Sequence, residues 1–154
     1  MTVDATTKDF DAKHWIWGQH DTKPRFLHTM VRVQDIDAAL KFYTEGFGME
    51  VMLDKFDVPV RRVTAMFIGF GDFSDGGALE LVKLWDAEGP HTHGSGYGHI
   101  SIGVPDVLLT LDKLEALGAE VTLRPTKLLA GAPLVAFVKD LDGYSIELIQ
   151  TRRD

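Results

Sequence analysis

The sequence contains no cysteine, which excludes disulfide bonds, thiolate metal sites and thiol catalysis. It also lacks an apolar run of the roughly 18–20 residues that a membrane-spanning helix needs. Basic residues are in the minority, because 16 Lys and Arg stand against 23 Asp and Glu, giving a net charge of −7. Nucleic acids and anionic membranes call for a basic surface, so neither is expected as the main partner. Residues 1–10 lack the apolar stretch of a signal peptide, and we expect a cytoplasmic protein.

The remaining composition is that of one globular domain preceded by an arm. Of the 154 residues, 45% are hydrophobic and 25% are charged, as in ordinary folded domains. Residues 1–25 show little periodicity but contain Trp15 and Trp17. Because tryptophan rings gain from packing, we expect this arm to dock on the domain, residues 26–154, or on a second subunit.

The domain consists of two similar halves, module one at about 26–86 and module two at about 97–150. Each half opens with a strand-like run that contains a histidine, and an aspartate that can cap a helix follows seven positions later. A helical pattern then ends at glycine, and the last strand of each half is built around one glutamate. The landmarks are His28, Asp35, Gly46 and Glu80 in the first half, and His99, Asp106, Gly118 and Glu147 in the second.

The repeat predicts the fold. Each half has the order βαβββ, and two such modules form an α+β domain whose curled mixed sheet surrounds a shared cleft. His28 precedes Glu80 by 52 positions and His99 precedes Glu147 by 48, so the spacing of the landmarks is nearly conserved between the halves.

The two repeated His–Glu pairs predict a metal site. Glu80 and Glu147 are single carboxylates in strands that are apolar on both faces, and a buried carboxylate needs a cation or strong donors. Two imidazoles and two carboxylates suit one divalent transition metal, namely Ni, Co, Zn, Mn or Fe(II). The predicted ligands are His28, Glu80, His99 and Glu147.

Several motifs together resemble glyoxalase I, the lactoylglutathione lyase of the vicinal-oxygen-chelate superfamily. They are LHTMVRV at 27–33, FYT at 42–44, GM at 48–49, LEL at 79–81, YGHI at 97–100 and FVKDLDGYSIEL at 137–148. The resemblance covers about residues 26–150. It implies paired βαβββ modules, a homodimer whose sites are built across the subunit interface, and the same four metal ligands.

The resemblance also implies an activity connected with methylglyoxal detoxification. The hemithioacetal of glutathione and methylglyoxal is isomerised through an enediolate to S-lactoylglutathione. Glu147 is then the principal base, and Glu80 is a second ligand able to exchange protons on the opposite face. Arg32 matches an arginine that holds a glutathione carboxylate, and Lys127 is the basic residue near the loop that precedes the last strands.

Other functions stay open beside this one. Leu84 and Ser95 replace polar and basic residues of the family pattern, and the apolar loop 128–133 fits a less charged substrate, which favours an epimerase or isomerase that does not use glutathione. An extradiol-type dioxygenase is a further alternative, as is a non-catalytic, ligand-sequestering dimer. His91 and His93 could ligate a metal or contact the substrate from their loop, although a solvated loop also explains them.

Overall fold

In a computed structural model the chain is described at residue 24 and over residues 26–71 and 77–152. Of the predicted arm, residues 1–25, only residue 24 is among them, so the expected docking of Trp15 and Trp17 concerns residues outside the described ranges. Both halves of the described chain follow the order strand, helix and three further strands, so the predicted βαβββ repeat is confirmed. Within the described ranges, neither helix is long and apolar enough to cross a bilayer.

The elements of the first half are β1 His28–Arg32, α1 Ile36–Phe47, β2 Glu50–Val58, β3 Val63–Gly69 and β4 Ala78–Leu84, with a 3₁₀ turn at Pro59–Arg61. The elements of the second half are β5 Ile100–Val104, α2 Val107–Ala116, β6 Glu120–Thr126, β7 Val135–Lys139 and β8 Ser145–Gln150.

The chain divides into two compact units. The first lies within Met1–Ile36 and Met49–Gly89 and contains a four-stranded sheet in the order β1-β4-β3-β2. In this sheet β1 pairs with β4 in parallel, whereas the other pairs are antiparallel. Most of β3 is buried, and one apolar cluster combines Val63, Ala65 and Val82 with Phe56, Val58 and Leu84. The first and last strands of the module are therefore neighbours.

The second unit, Asp37–Gly48 and Pro90–Asp154, repeats this topology in the order β5-β8-β7-β6. Its parallel pair is β5 and β8, again the first and last strands of the module. The unit also contains α1, which belongs to the first half of the sequence. A Cβ atom at Gly46 of α1 would lie only 2.5 Å from Leu114 Cδ2 of α2, so glycine permits close packing of the two helices.

The local signals of α2 act as the sequence predicts. Asp106 caps the helix, because its side chain accepts a hydrogen bond of 3.0 Å from the Leu109 N–H. Val107, Leu111 and Leu114 form the buried face at helical spacing. The chain leaves the helix at Gly118, whose φ of 99° is readily adopted only by glycine.

A buried aspartate joins α1 to the β7–β8 turn within the second unit. Tyr43 of α1 donates a hydrogen bond of 2.5 Å to Asp140 Oδ2, and Oδ1 accepts from the N–H groups of Asp142 and Tyr144 at 3.0 and 2.9 Å. Burial raises the pKa of the Asp140 carboxyl, while these three hydrogen bonds act to lower it. The carboxylate is therefore stable in the interior only while its donors are in place.

Tyr43→Phe is expected to destabilise the protein by about 1–3 kcal/mol, because it leaves a buried carboxylate oxygen without a donor. Urea unfolding at pH 7 measures this loss. Glu115→Gln is the matched control, since Glu115 forms an exposed ion pair with Arg124 and such pairs contribute about 0–1 kcal/mol. Equal stability of Tyr43→Phe and the wild type would contradict a structural role for this hydrogen bond.

Candidate metal centre

The parallel pairing of β1 and β4 brings His28 and Glu80 together. Met30, two positions after His28, is in register with Glu80, so the histidine and the glutamate lie on adjacent strands of one sheet. The distance from His28 Nε2 to Glu80 Oε2 is 3.2 Å. Burial raises the pKa of the Glu80 carboxyl above its ordinary value, and the electrostatic interactions with His28 and Arg61 offset only part of this rise. A nearby cation stabilises such a partly desolvated carboxylate.

The second unit contains the equivalent pair. His99 immediately precedes β5, and Ser101 of β5 is in register with Glu147 of β8. The distance from His99 Nε2 to Glu147 Oε2 is 3.3 Å, which closely repeats the geometry of the first pair. Ser101 Oγ donates a hydrogen bond of 2.5 Å to the same carboxylate oxygen.

A phenylalanine supports the histidine ring in each unit. Phe67 lies opposite Glu80 in the antiparallel β3–β4 pairing, and its ring contacts the His28 ring edge-on at a centroid distance of 5.1 Å. Phe137 lies opposite Glu147 and contacts His99 in the same way at 5.3 Å. His28 Nδ1 is buried without a hydrogen-bond partner in the described part of the chain, so packing against Phe67 orients this ring.

Only part of this arrangement followed from the sequence. Phe67 is both buried and in contact with a predicted ligand. Phe137 and Ser101 were missed. The signal that could have identified the two phenylalanines is the antiparallel register, in which Phe67 of β3 lies opposite Glu80 and Phe137 of β7 lies opposite Glu147.

The two pairs fit a divalent metal in their chemistry and spacing. Metal bonds to His nitrogen and carboxylate oxygen are about 2.0–2.2 Å long. Within each pair the nitrogen and the oxygen are 3.2 or 3.3 Å apart, so both atoms of a pair can bind the same ion. Among the described residues, however, no three His, Asp or Glu side chains are grouped to hold a metal. Each unit contains one His–Glu pair.

The predicted substrate residues lie in different units. Arg32 is exposed at the end of β1, on the same strand face as His28. Lys127 lines a cavity of about 650 Å³ in the second unit, together with Leu134, Gln150 and Arg152. Leu129 in the nearby loop is 74% exposed, whereas Leu84 packs in the apolar cluster of the first unit.

The histidines of the 91–93 loop are not part of either pair. The His93 ring stacks on Tyr144 at a centroid distance of 4.1 Å, and Nε2 of both His91 and His93 is buried without a hydrogen-bond partner in the described residues. The stacking contact holds His93 within the second unit, so the alternative of a fully solvated loop does not describe this residue.

Comparison with known proteins agrees with the fold. Residues 25–148 match the family described as the Glyoxalase/Bleomycin resistance protein/Dioxygenase superfamily, and the chain belongs to this family. A Vibrio cholerae protein named probable lactoylglutathione lyase is 43% identical over 129 residues, which cover 84% of this chain and 92% of the relative.

Solved structures give the same result. Glyoxalase I from Zea mays superposes with a TM-score of 0.75 at 37% identity, covering 84% of this chain and 45% of the maize chain. A trypanothione-dependent glyoxalase I from Leishmania major has a TM-score of 0.71 at 39% identity, covering 83% of this chain and 87% of the other. The expected glyoxalase fold and the expected lyase-type enzyme are therefore confirmed.

Removing a histidine from either pair is expected to abolish stable metal binding. The wild-type protein should contain about one divalent ion per chain, whereas His28→Ala and His99→Ala each lose one of the four nitrogen and oxygen donors. Elemental analysis after dialysis measures the bound metal, and thermal unfolding with added Ni²⁺ or Co²⁺ measures its stabilising effect.

The double variant His91→Ala/His93→Ala is the matched control, because it removes two imidazoles outside the pairs. It should retain metal. Loss of metal from this control but not from His28→Ala would place the ion in the 91–93 loop instead.

Proposed function

We propose that this protein is a metal-dependent glyoxalase I-type lyase that converts the hemithioacetal of glutathione and a 2-oxoaldehyde such as methylglyoxal into a 2-hydroxyacyl thioester in the cytoplasm. The observation that carries this proposal is the repeated His–Glu geometry, with distances of 3.2 and 3.3 Å, in a chain of this family. His28, Glu80, His99 and Glu147 would hold one divalent ion. When bound, that ion supplies Lewis-acid stabilisation of negative charge on the substrate oxygens.

The glutamates account for the proton transfer. Glu147 is 15% exposed and lies on a central strand, which keeps its carboxylate in one position. As a base, this carboxylate would remove the proton from the carbon that carries sulfur and return it to the neighbouring carbon. The reaction is an isomerisation and needs no other reactant. Glu80 offers a second carboxylate, with a pKa raised by burial, for exchange on the opposite face of the substrate.

The substrate proposal rests on the names of the relatives and on two basic residues. Arg32 would pair with one glutathione carboxylate, and Lys127 with Arg152 at the cavity would attract the other. A second candidate, an epimerase or isomerase acting on an apolar substrate, is favoured by Leu84 in its apolar cluster and by Leu128 and Leu129, which are 58% and 74% exposed. Turnover of the glutathione hemithioacetal by the wild type separates the two candidates.

We also propose a homodimer in which His28 and Glu80 of one copy complete a site with His99 and Glu147 of the other. Each unit contains one His–Glu pair, so a pair from a second copy can supply the other two ligands. A symmetric dimer would then contain two equivalent sites.

Glu147→Gln should lower kcat by about 10²–10⁴-fold, because the amide cannot act as a general base. Its oxygen can still coordinate metal, so metal content should largely remain. The assay follows thioester formation from the methylglyoxal–glutathione hemithioacetal by absorbance. Glu120→Gln, at an exposed position of β6, is the control. A metal-loaded wild type without turnover would remove this substrate from consideration.

Mixing two variants that each damage one His–Glu pair tests the shared site. Glu80→Gln and Glu147→Gln damage different pairs, so a mixed dimer would contain one site with all four native ligands. Random exchange makes half of the dimers mixed, which should restore about a quarter of the wild-type activity. Glu80→Gln mixed with His28→Ala is the control, because both changes affect the same pair and every site stays damaged. No recovery in the first mixture after verified subunit exchange would exclude a shared site.

A further inference from the structure

The hydroxyl of Ser101 is bonded to one of the predicted metal ligands. Ser101 Oγ lies 2.5 Å from Glu147 Oε2, within the range of about 2.5–2.7 Å typical of hydroxyl–carboxylate hydrogen bonds. The two residues are direct register partners in the parallel β5–β8 pairing. Strand geometry therefore holds donor and acceptor opposite each other, and the contact does not depend on a loop.

The corresponding position of the first unit has no hydroxyl. Met30 is the register partner of Glu80 in the parallel β1–β4 pairing, as Ser101 is of Glu147. In both units the position is two residues after the predicted histidine ligand. Methionine offers only a weakly accepting sulfur, so it cannot donate a hydrogen bond to Glu80. Each of the two carboxylates has a histidine and a phenylalanine neighbour, but only Glu147 accepts a hydrogen bond from the register partner of the parallel strand.

We infer that Ser101 is a positioning residue that holds the Glu147 carboxylate beside His99 for metal binding and proton transfer. This inference rests on the proposed function, in which Glu147 is both ligand and base. A glutamate side chain that is mobile before the metal binds loses rotamer freedom when it is fixed in one geometry. The hydrogen bond from Ser101 on the neighbouring strand holds Oε2 at 3.3 Å from His99 Nε2 before the metal binds, so this loss does not oppose metal binding.

The hydrogen bond is compatible with metal coordination by the same carboxylate. The two oxygens of an ionised carboxylate offer about four acceptor positions. Ser101 uses one position of Oε2, and others remain for an ion and for the migrating proton. Hydrogen bonds of this kind orient metal ligands, and their loss typically costs about 10–100-fold in metal affinity or activity.

The experiment compares Ser101→Ala, Ser101→Thr and Ser145→Ala. Threonine retains the hydroxyl and suits a β-strand. Ser145 is the matched control because it lies on β8 two residues before Glu147, and its carbonyl contact with Tyr97 is kept by alanine. Apo proteins are titrated with Co²⁺ to obtain dissociation constants, and fully loaded proteins are then assayed on the hemithioacetal. Unfolding of the apo forms verifies that each variant is folded.

Ser101→Ala should raise the Co²⁺ dissociation constant by about 10–100-fold and lower kcat of the loaded enzyme with little change in KM. Ser101→Thr should restore both values, and Ser145→Ala should match the wild type. Equal Co²⁺ affinity of Ser101→Ala and the wild type would overturn the inference, as would an equal loss in Ser145→Ala.

The two proposals fail separately. A wild type that binds Co²⁺ but does not convert the hemithioacetal refutes the proposed substrate, while the Co²⁺ affinities still decide the role of Ser101. An active wild type with unchanged affinity and kcat in Ser101→Ala refutes only the role of Ser101.

Discussion

The parallel pairing of the first and last strands in each unit is the constraint on which the site depends. It brings residues 52 and 48 positions apart in sequence to within 3.2 and 3.3 Å. The antiparallel strands between them add Phe67 and Phe137 opposite the glutamates. His28, Glu80 and Glu147 lie on paired strands and His99 immediately precedes β5, so the sheets position the four side chains before any metal ion binds. Preorganisation of this kind suits a metal centre that must bind an ion without large rearrangement.

The second unit depends on an element from the first half of the sequence. Helix α1 packs near α2 through Gly46 and is joined to the β7–β8 turn by the Tyr43–Asp140 hydrogen bond. The same turn leads directly into β8, which carries Glu147. Burial of Asp140 is offset by donors from both the helix and the turn, so this polar contact fixes the start of the strand that supplies the predicted base.

The sequence predicted the repeated element order because strand and helix periodicity and glycine helix ends are local signals. It predicted the two His–Glu pairs because the same spacing occurs in both halves. It could not assign α1 to the second unit, since helical periodicity shows which face is buried but not which sheet covers it. Ser101 and Phe137 were missed because their roles arise from cross-strand register, which depends on backbone hydrogen bonding between distant segments. Leu84, a departure from the family pattern, proved to be part of an apolar cluster.

In the proposed homodimer, the division of the donors into two pairs would link metal uptake to the association of the chains thermodynamically. Two ligands alone bind a divalent ion weakly, and an ion that requires four ligands from two copies binds the assembled state in preference to separate chains. At a free metal concentration 100 times the dissociation constant, such preferential binding stabilises the assembled form by about 2.7 kcal/mol per site. Metal supply would therefore change the concentration at which the chains assemble as well as the rate of the reaction, and a chelator would weaken the dimer by removing the ion that joins the two copies.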